Sequence, residues 1–389
     1  MLQCSITKGA ILYIPLEELA KATELTRGGR LQEATQLIQQ ALQRGAPAGE
    51  KPAPAPTPSA PRADVTDVTD VAFRELPSPG GAPAAAAEQP SPASSTGPAS
   101  FERHAFDGGA KPYTYWLYTP GRQDDSAPLP IVVMLHGCTQ DGADFATGTA
   151  MNELAAVRGC LVVYPEQRQD ANSMRCWNWF EPAHQRRDSG EPAMIAALAL
   201  EVAARHGGDT SRIYIAGLSA GGAMATLVGQ LYPDVFAAVG VHSGLPAQSA
   251  QDVVGAMSAM RKPAAQRTPS TRAGIAVPTI VFHGNSDRTV HPGNGKRIVQ
   301  EAVSAADAKG VPLSSRPGPT GASSRTVRRA VHSSAEGQPW VESWEIVGAP
   351  HAWSGGRAAG TYTDPQGPDA SAAMLDFFLQ HRLATQRPV

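Results

Sequence analysis

The five residues Gly217-Leu218-Ser219-Ala220-Gly221 constrain this chain more than any other stretch. They follow an apolar, β-branched run, Ile213-Tyr214-Ile215-Ala216, and precede small residues able to open a helix, Gly222-Ala223-Met224-Ala225. A serine in that strand-turn-helix setting matches a G-x-S-x-G nucleophile elbow, in which small neighbours let the backbone turn sharply and hold the hydroxyl clear of the sheet edge. The chain around it alternates in the same way. Strand-like runs near 113–118, 131–135, 161–164, 212–216, 237–242, 279–283 and 341–347 are separated by helical segments near 144–157, 192–205, 222–231, 295–307 and 370–382. This alternation predicts an α/β fold with a mostly parallel sheet and helices on both faces. The polar stretch 311–338 reads as a surface insertion.

Two partners for Ser219 follow in chain order. Pro278-Thr279-Ile280-Val281-Phe282 ends in a loop carrying Asp287, and Val341 to Val347 runs into Gly348-Ala349-Pro350-His351. A serine hydroxyl is too weakly acidic to attack an ester unaided, so an imidazole must take its proton and a carboxylate must fix the imidazole's tautomer. Ser219, Asp287 and His351 are therefore the candidate nucleophile, acid and base. The order Ser, Asp, His is that of an α/β-hydrolase fold. Asp252, Asp364 and Asp369 are competing acids in the same half of the chain. The run Ile131 to Leu135 ends in His136-Gly137-Cys138-Thr139-Gln140, which places the backbone N–H groups of Cys138 and Ala220 where an oxyanion needs donors. His136 and His283 are read as packed loop histidines.

The blocks His136 to Gln140, Tyr164-Pro165-Glu166-Gln167, Arg175-Cys176-Trp177-Asn178-Trp179-Phe180, Gly217 to Met224, Val241-His242-Ser243-Gly244 and His351-Ala352-Trp353-Ser354-Gly355-Gly356 together resemble the polyhydroxybutyrate depolymerase family of esterases. The likeness spans about residues 102–384. It implies hydrolysis of esters of 3-hydroxyalkanoate polymers or oligomers, with feruloyl and acetylxylan esterases as near relatives. It also implies the triad and oxyanion roles above, a substrate cleft lined by Trp177 or Trp179 with Gln140 as a further substrate-binding candidate, and a Cys138–Cys176 disulfide. No metal or cofactor is implied. Secreted polymer depolymerases of this kind usually carry a signal peptide, a linker and a C-terminal surface-binding domain; because the sequence ends soon after Phe377-Phe378-Leu379, the expectation is a chain lacking the surface-binding domain.

The net charge of −2 gives no reason to expect a nucleic acid or an anionic membrane as partner. No window reaches the ~18 apolar residues that span a bilayer. Nor does the N-terminus show a Sec signal or a lipobox before Cys4, so the expectation is a cytoplasmic protein, with an extracellular one as the alternative that the implied disulfide favours. The four cysteines form no C-x-x-C pair, which argues against a zinc or redox motif. Residues 1–45 show helical spacing twice, through Leu16, Leu19 and Leu25 and then Leu31, Ala34, Leu37, Ile38, Ala41 and Leu42, predicting a helical hairpin. Residues 46–100 are rich in Pro, Ala, Ser and Gly and predict a flexible linker, leaving 101–385 as the catalytic domain. A polyester or oligoester is the expected substrate. The hairpin makes a polyhydroxyalkanoate granule a further candidate partner, and the opposing reading is a granule-associated binding protein with a vestigial hydrolase domain.

Overall fold

The computed structural model describes residues 97–108, 111–122, 127–262 and 277–384. The expected hairpin and nearly all of the expected linker lie outside the described residues. Twelve strands are described: β1 (Ser100–Phe106), β2 (Tyr113–Thr119), β3 (Leu129–Leu135), β4 (Leu161–Glu166), β5 (Gly208–Leu218), β6 (Ala238–His242), β7 (Thr279–Gly284), β8 (Ser314–Pro317), β9 (Val327–Ser333), β10 (Pro339–Ile346), β11 (Trp353–Ser354) and β12 (Thr363–Asp364). The first ten form one sheet in the order β1-β2-β4-β3-β5-β6-β7-β10-β9-β8. Its six central strands, β4 to β10 in that order, pair in parallel, and both flanks are antiparallel. This is the α/β-hydrolase fold.

Central strands buried on both faces read as continuous apolar runs. In β3 every residue is buried, and the two-residue period divides them. Ile131, Val133 and Leu135 enter a core that holds Ile213 and Ile215 of β5. Val132 and Met134 enter the opposite core with Tyr214 and Ala216. The first core is closed by α3 (Gly190–Arg205), α4 (Ala220–Leu231), α5 (Val253–Arg261) and α6 (Gly293–Ala308); the second by α1 (Gly142–Thr149), α2 (Met151–Arg158) and α7 (Ala370–Phe378).

Several expectations are corrected. The sheet starts at Ser100 rather than Tyr113, so β1 takes the last residue assigned to the linker, and Gly97 already bridges to Arg122. The segment expected as one helix over 144–157 is two, broken at Ala150 with φ 52°. Tertiary donors explain the break: Arg357 N–H takes the carbonyl of Gly148 at 2.8 Å and Ser371 Oγ takes that of Thr149 at 2.7 Å. The stretch 311–338 is not a plain surface insertion, because β8 and β9 within it extend the sheet. There Arg329 pairs with Glu342 and lies over the Trp344 ring, so the edge is held by charge and ring contacts rather than by an apolar stripe. Helix α5 is an addition to the expected set.

Candidate active site

Ser219 lies between the end of β5 and the first residue of α4, with φ 59° and ψ −119°. A non-glycine residue at positive φ is strained and persists where its surroundings fix it. Here Ser219 N–H donates to the carbonyl of His242 at 2.9 Å, while its own carbonyl accepts from Ala223 N–H at 2.9 Å. The flanking glycines are required sterically. A Cβ on Gly217 would stand 2.3 Å from the carbonyl carbon of Gly221, and one on Gly221 would stand 2.1 Å from the carbonyl oxygen of Leu135.

Asp287 and His351 meet across 64 positions of sequence. His351 Nδ1–H donates to Asp287 Oδ2 at 2.7 Å, while Asp287 Oδ1 accepts from the backbone N–H groups of Thr289 at 2.9 Å and Val290 at 2.8 Å. Burial alone would raise the Asp287 pKa. The hydrogen bonds from His283 and His351, with that from Val290 N–H, outweigh it and hold the carboxyl well below the usual carboxylate range. An ionised Asp287 keeps the proton of His351 on Nδ1 and leaves Nε2 as the basic nitrogen. The three competing acids have other work: Asp252 caps α5, Asp369 caps α7, and Asp364 pairs with Arg325. Ser219 sits on the same rim of the sheet, at the end of β5, but among the described residues its hydroxyl makes no hydrogen bond to His351.

A second layer of histidines lies behind this group. His242 is fully buried and stacks on Phe282 and Trp353 with ring centroids 5.8 and 5.2 Å away. Its Nε2 accepts from Ser354 N–H at 3.0 Å, so Nδ1 carries the proton and donates to Ser243 Oγ at 3.2 Å. Burial, with the neighbouring His283 and His351, pushes its pKa down to about 3. His283 lies in β7, within the strand run expected over 279–283 and not in the loop that follows it. Its Nε2–H donates to Val290 O at 2.9 Å and stands 3.4 Å from Asp287 Oδ2. His136 is a packed loop histidine whose Nε2 accepts from Gln167 N–H, and burial lowers its pKa.

The loop after β3 supplies the remaining chemistry. Neither Cys138 N–H nor Ala220 N–H has a partner among the described residues, and Ala220 opens a helix, whose positive end favours an anion. Cys138 and Cys176 form a disulfide with Sγ–Sγ 2.02 Å, joining this loop to the 172–180 segment. Gln140 is engaged within the protein through its amide. It is 2 % exposed; its Oε1 accepts from Gly137 N–H at 2.9 Å, and its Nε2 donates to Asp144 at 2.9 Å and to Thr361 O at 3.2 Å. It is a clamp on the loop. Trp177 is no part of a cleft wall: it is fully buried with Nε1–H donating to His136 O at 3.2 Å. Trp179 is 5 % exposed and packs edge-on against Phe180, so it too belongs to the core. Sequence reasoning also missed Glu191, a buried carboxylate that accepts from Asn178 N–H and Nδ2 at 2.8 Å and so folds the tryptophan segment. No sequence signal marks that role.

The fold is that of an α/β-hydrolase, with Ser219 at the turn after β5 and the Asp287–His351 pair on the same rim of the sheet. The chain belongs to the family described as Esterase PHB depolymerase, which matches residues 113–312. It is 34% identical over 251 residues to the Poly(3-hydroxyalkanoate) depolymerase C of Paucimonas lemoignei, covering 61% of this chain and 56% of that protein. It is 30% identical over 196 residues to the Probable acetylxylan esterase A of Aspergillus fumigatus, covering 46% and 51%. With the Feruloyl esterase B of Thermothelomyces thermophilus the identity is 31% over 131 residues, 33% of this chain and 43% of that one. The chain thus spans about half the length of the curated relatives it matches. Among solved structures, the acetyl xylan esterase from Aspergillus awamori superposes with a TM-score of 0.55 at 19% identity, covering 72% of this chain and 99% of that one, a likeness of fold. Among the described residues no helix is long and apolar enough to cross a membrane.

Proposed function

We propose that this protein is a serine carboxylic ester hydrolase that cleaves esters of 3-hydroxyalkanoate polymers or oligomers. The observation that carries the proposal is the 2.7 Å hydrogen bond between His351 Nδ1 and Asp287 Oδ2, on the same sheet rim as the strained Ser219. In this reading the Ser219 hydroxyl attacks the ester carbonyl carbon and its proton passes to His351 Nε2. Asp287 stabilises the imidazolium without taking the proton. The oxyanion is received by Cys138 and Ala220 N–H. Collapse breaks the carbon–oxygen bond of the ester, and the departing alkoxide takes the proton from His351. Water then attacks the acyl-enzyme, its proton passing by the same imidazole to Ser219 as the acid leaves.

The hydroxyalkanoate substrate is supported by the relative of Paucimonas lemoignei. A second reading, a carbohydrate esterase acting on acetyl or feruloyl groups, is favoured by the relatives that bear those names. The disulfide favours an extracellular setting over a reducing cytosol. A hydrolysis panel decides among substrates: 3-hydroxybutyrate oligomers, amorphous polymer, methyl ferulate and acetylated xylan. Turnover of the first two is expected; preference for either of the last two would replace the proposal with the second reading.

A further inference from the structure

A cavity of about 350 Å³ opens beside the site without including Ser219 or His351. It touches His136 and Gln140 of the loop after β3 on one side and the end of β4 on another. Its charged lining is Arg103, Arg168 and Arg175 against Asp141 and Glu166. The three arginines are not equally neutralised. Glu166 accepts from Arg103 Nη2 at 2.6 Å, and Thr114, Trp116 and Gly142 fill its remaining capacity. Arg168 is held by Asp170 through two bonds of 2.8 and 2.7 Å. The nearest carboxylate to Arg175 is Asp141, at 3.6 Å, and the other oxygen of Asp141 is already engaged in capping α1. Arg175 therefore carries the least compensated positive charge of the cavity.

The backbone that carries it is held in place. Arg175 has φ 51° and donates its N–H to Asn172 O at 2.8 Å, while the N–H groups of Met174 and Cys176 on either side both reach Asn172 Oδ1. The next residue, Cys176, is bonded to Cys138, whose N–H is a candidate oxyanion donor. In the sheet order β1-β2-β4-β3-β5 the wall of the cavity nearest Ser219 is the end of β4, two strand spacings or about 10 Å from β5, and its far wall is formed by Thr114 and Trp116 of β2 and Arg103 of β1.

We propose that this cavity receives the carboxylate terminus of a hydroxyalkanoate oligomer, on the leaving-group side of the scissile ester, with Arg175 as its charge partner. The assignment rests on the hydroxyalkanoate reading above. Such an oligomer necessarily ends in a carboxylate, which a guanidinium pairs with in a planar, two-bond geometry. Feruloyl or acetyl sugars carry no such terminus.

The test compares kcat/KM for a 3-hydroxybutyrate trimer as the free acid and as its methyl ester, for the full chain and for Arg175→Gln and Arg175→Lys. The parent is expected to favour the free acid about tenfold, the size of one charge-assisted hydrogen bond. The ratio should fall close to one in Arg175→Gln, through KM rather than kcat, and be partly kept in Arg175→Lys. It should also shrink in the parent at about 1 M salt, a measurement independent of how the variants fold. A parent ratio of one or less, or a ratio that survives both Arg175→Gln and high salt, overturns the cavity assignment while leaving the esterase reading in place. If the parent hydrolyses amorphous polymer but neither trimer, the cavity assignment fails alone; if it hydrolyses none of the three, the hydroxyalkanoate reading fails and the cavity assignment with it.

Discussion

Asp287→Asn separates the proposed catalytic contribution of the acid from its structural one, and the outcome can be worked from its three hydrogen bonds. Oδ1 accepts from two backbone N–H groups, Thr289 at 2.9 Å and Val290 at 2.8 Å, so in the variant the oxygen of the amide must take that side. The NH₂ is then forced toward His351 Nδ1, at the 2.7 Å now spanned by a donated N–H. Two donors cannot share that contact. The imidazole must hold its proton on Nε2, where it can no longer accept one from Ser219. The expected loss in kcat is about 10⁴-fold, equivalent to about 5.5 kcal/mol of transition-state stabilisation. The stability loss should be smaller, about 1–3 kcal/mol, since the two backbone bonds remain and one charged hydrogen bond is lost.

The assay is p-nitrophenyl butyrate hydrolysis beside urea unfolding of the same preparations. Asp252→Asn and Asp369→Asn serve as controls: asparagine caps helices nearly as well as aspartate, so both should change stability by only a few tenths of a kcal/mol and leave kcat alone. A folded Asp287→Asn enzyme that turns over within tenfold of the parent would refute the assignment of acid, base and tautomer together.

Ser219→Ala should abolish turnover to about 10⁴-fold below the parent or lower, and a sulfonyl fluoride should label the parent at Ser219; labelling elsewhere in an active enzyme would move the nucleophile. Replacing Cys138 and Cys176 together by alanine should lower kcat more than it raises KM, because the loop bearing the Cys138 N–H loses its tie to the 172–180 segment; unchanged kcat in a folded variant would leave the bridge a stability device. Acid should destabilise the fold. His242 is held neutral with its pKa pushed down to about 3, so between there and about 6.5 the unfolded chain binds the extra proton and stability must fall as pH falls, by up to about 1.4 kcal/mol per unit; urea titrations at pH 7 and 5 should show it, and His242→Gln should flatten the slope. A chain beginning at residue 97 should keep soluble-ester activity while one beginning at 107, which lacks β1, should not; equal activity would make β1 dispensable, and loss of activity in the longer chain would give the first 96 residues a part in the catalytic fold.

The parts of this molecule legible in its sequence are those set by local sterics and by apolar period. The turn at Ser219 is one, because Gly217 and Gly221 face backbone atoms that leave no room for a Cβ. The central strands are another, because burial on both faces demands unbroken apolar runs. The edge strands β1, β8 and β9 lacked such a signal: β8 is exposed throughout, and β9 is fastened by Arg329 to Glu342 and Trp344 rather than by alternation.

The misjudged residues share a cause. Gln140 sits in the loop that would cradle an oxyanion, which suggests contact with substrate, yet its partners are Gly137 three residues away and Thr361 some 221 residues away. Trp177 sits between Cys176 and Asn178 in an extended segment whose direction is set by the buried Glu191, so a two-residue period alone could not tell which ring faced out. Both residues hold the catalytic loop from outside the reaction: Gln140 through Gly137 N–H, Trp177 through His136 O, and the disulfide through Cys138. Three successive residues of that loop are therefore held, two of them by the adjacent Cys176 and Trp177 of one segment and the third by Gln140. That arrangement gives the Cys138 N–H a fixed position before any substrate arrives, which is the property an oxyanion donor requires.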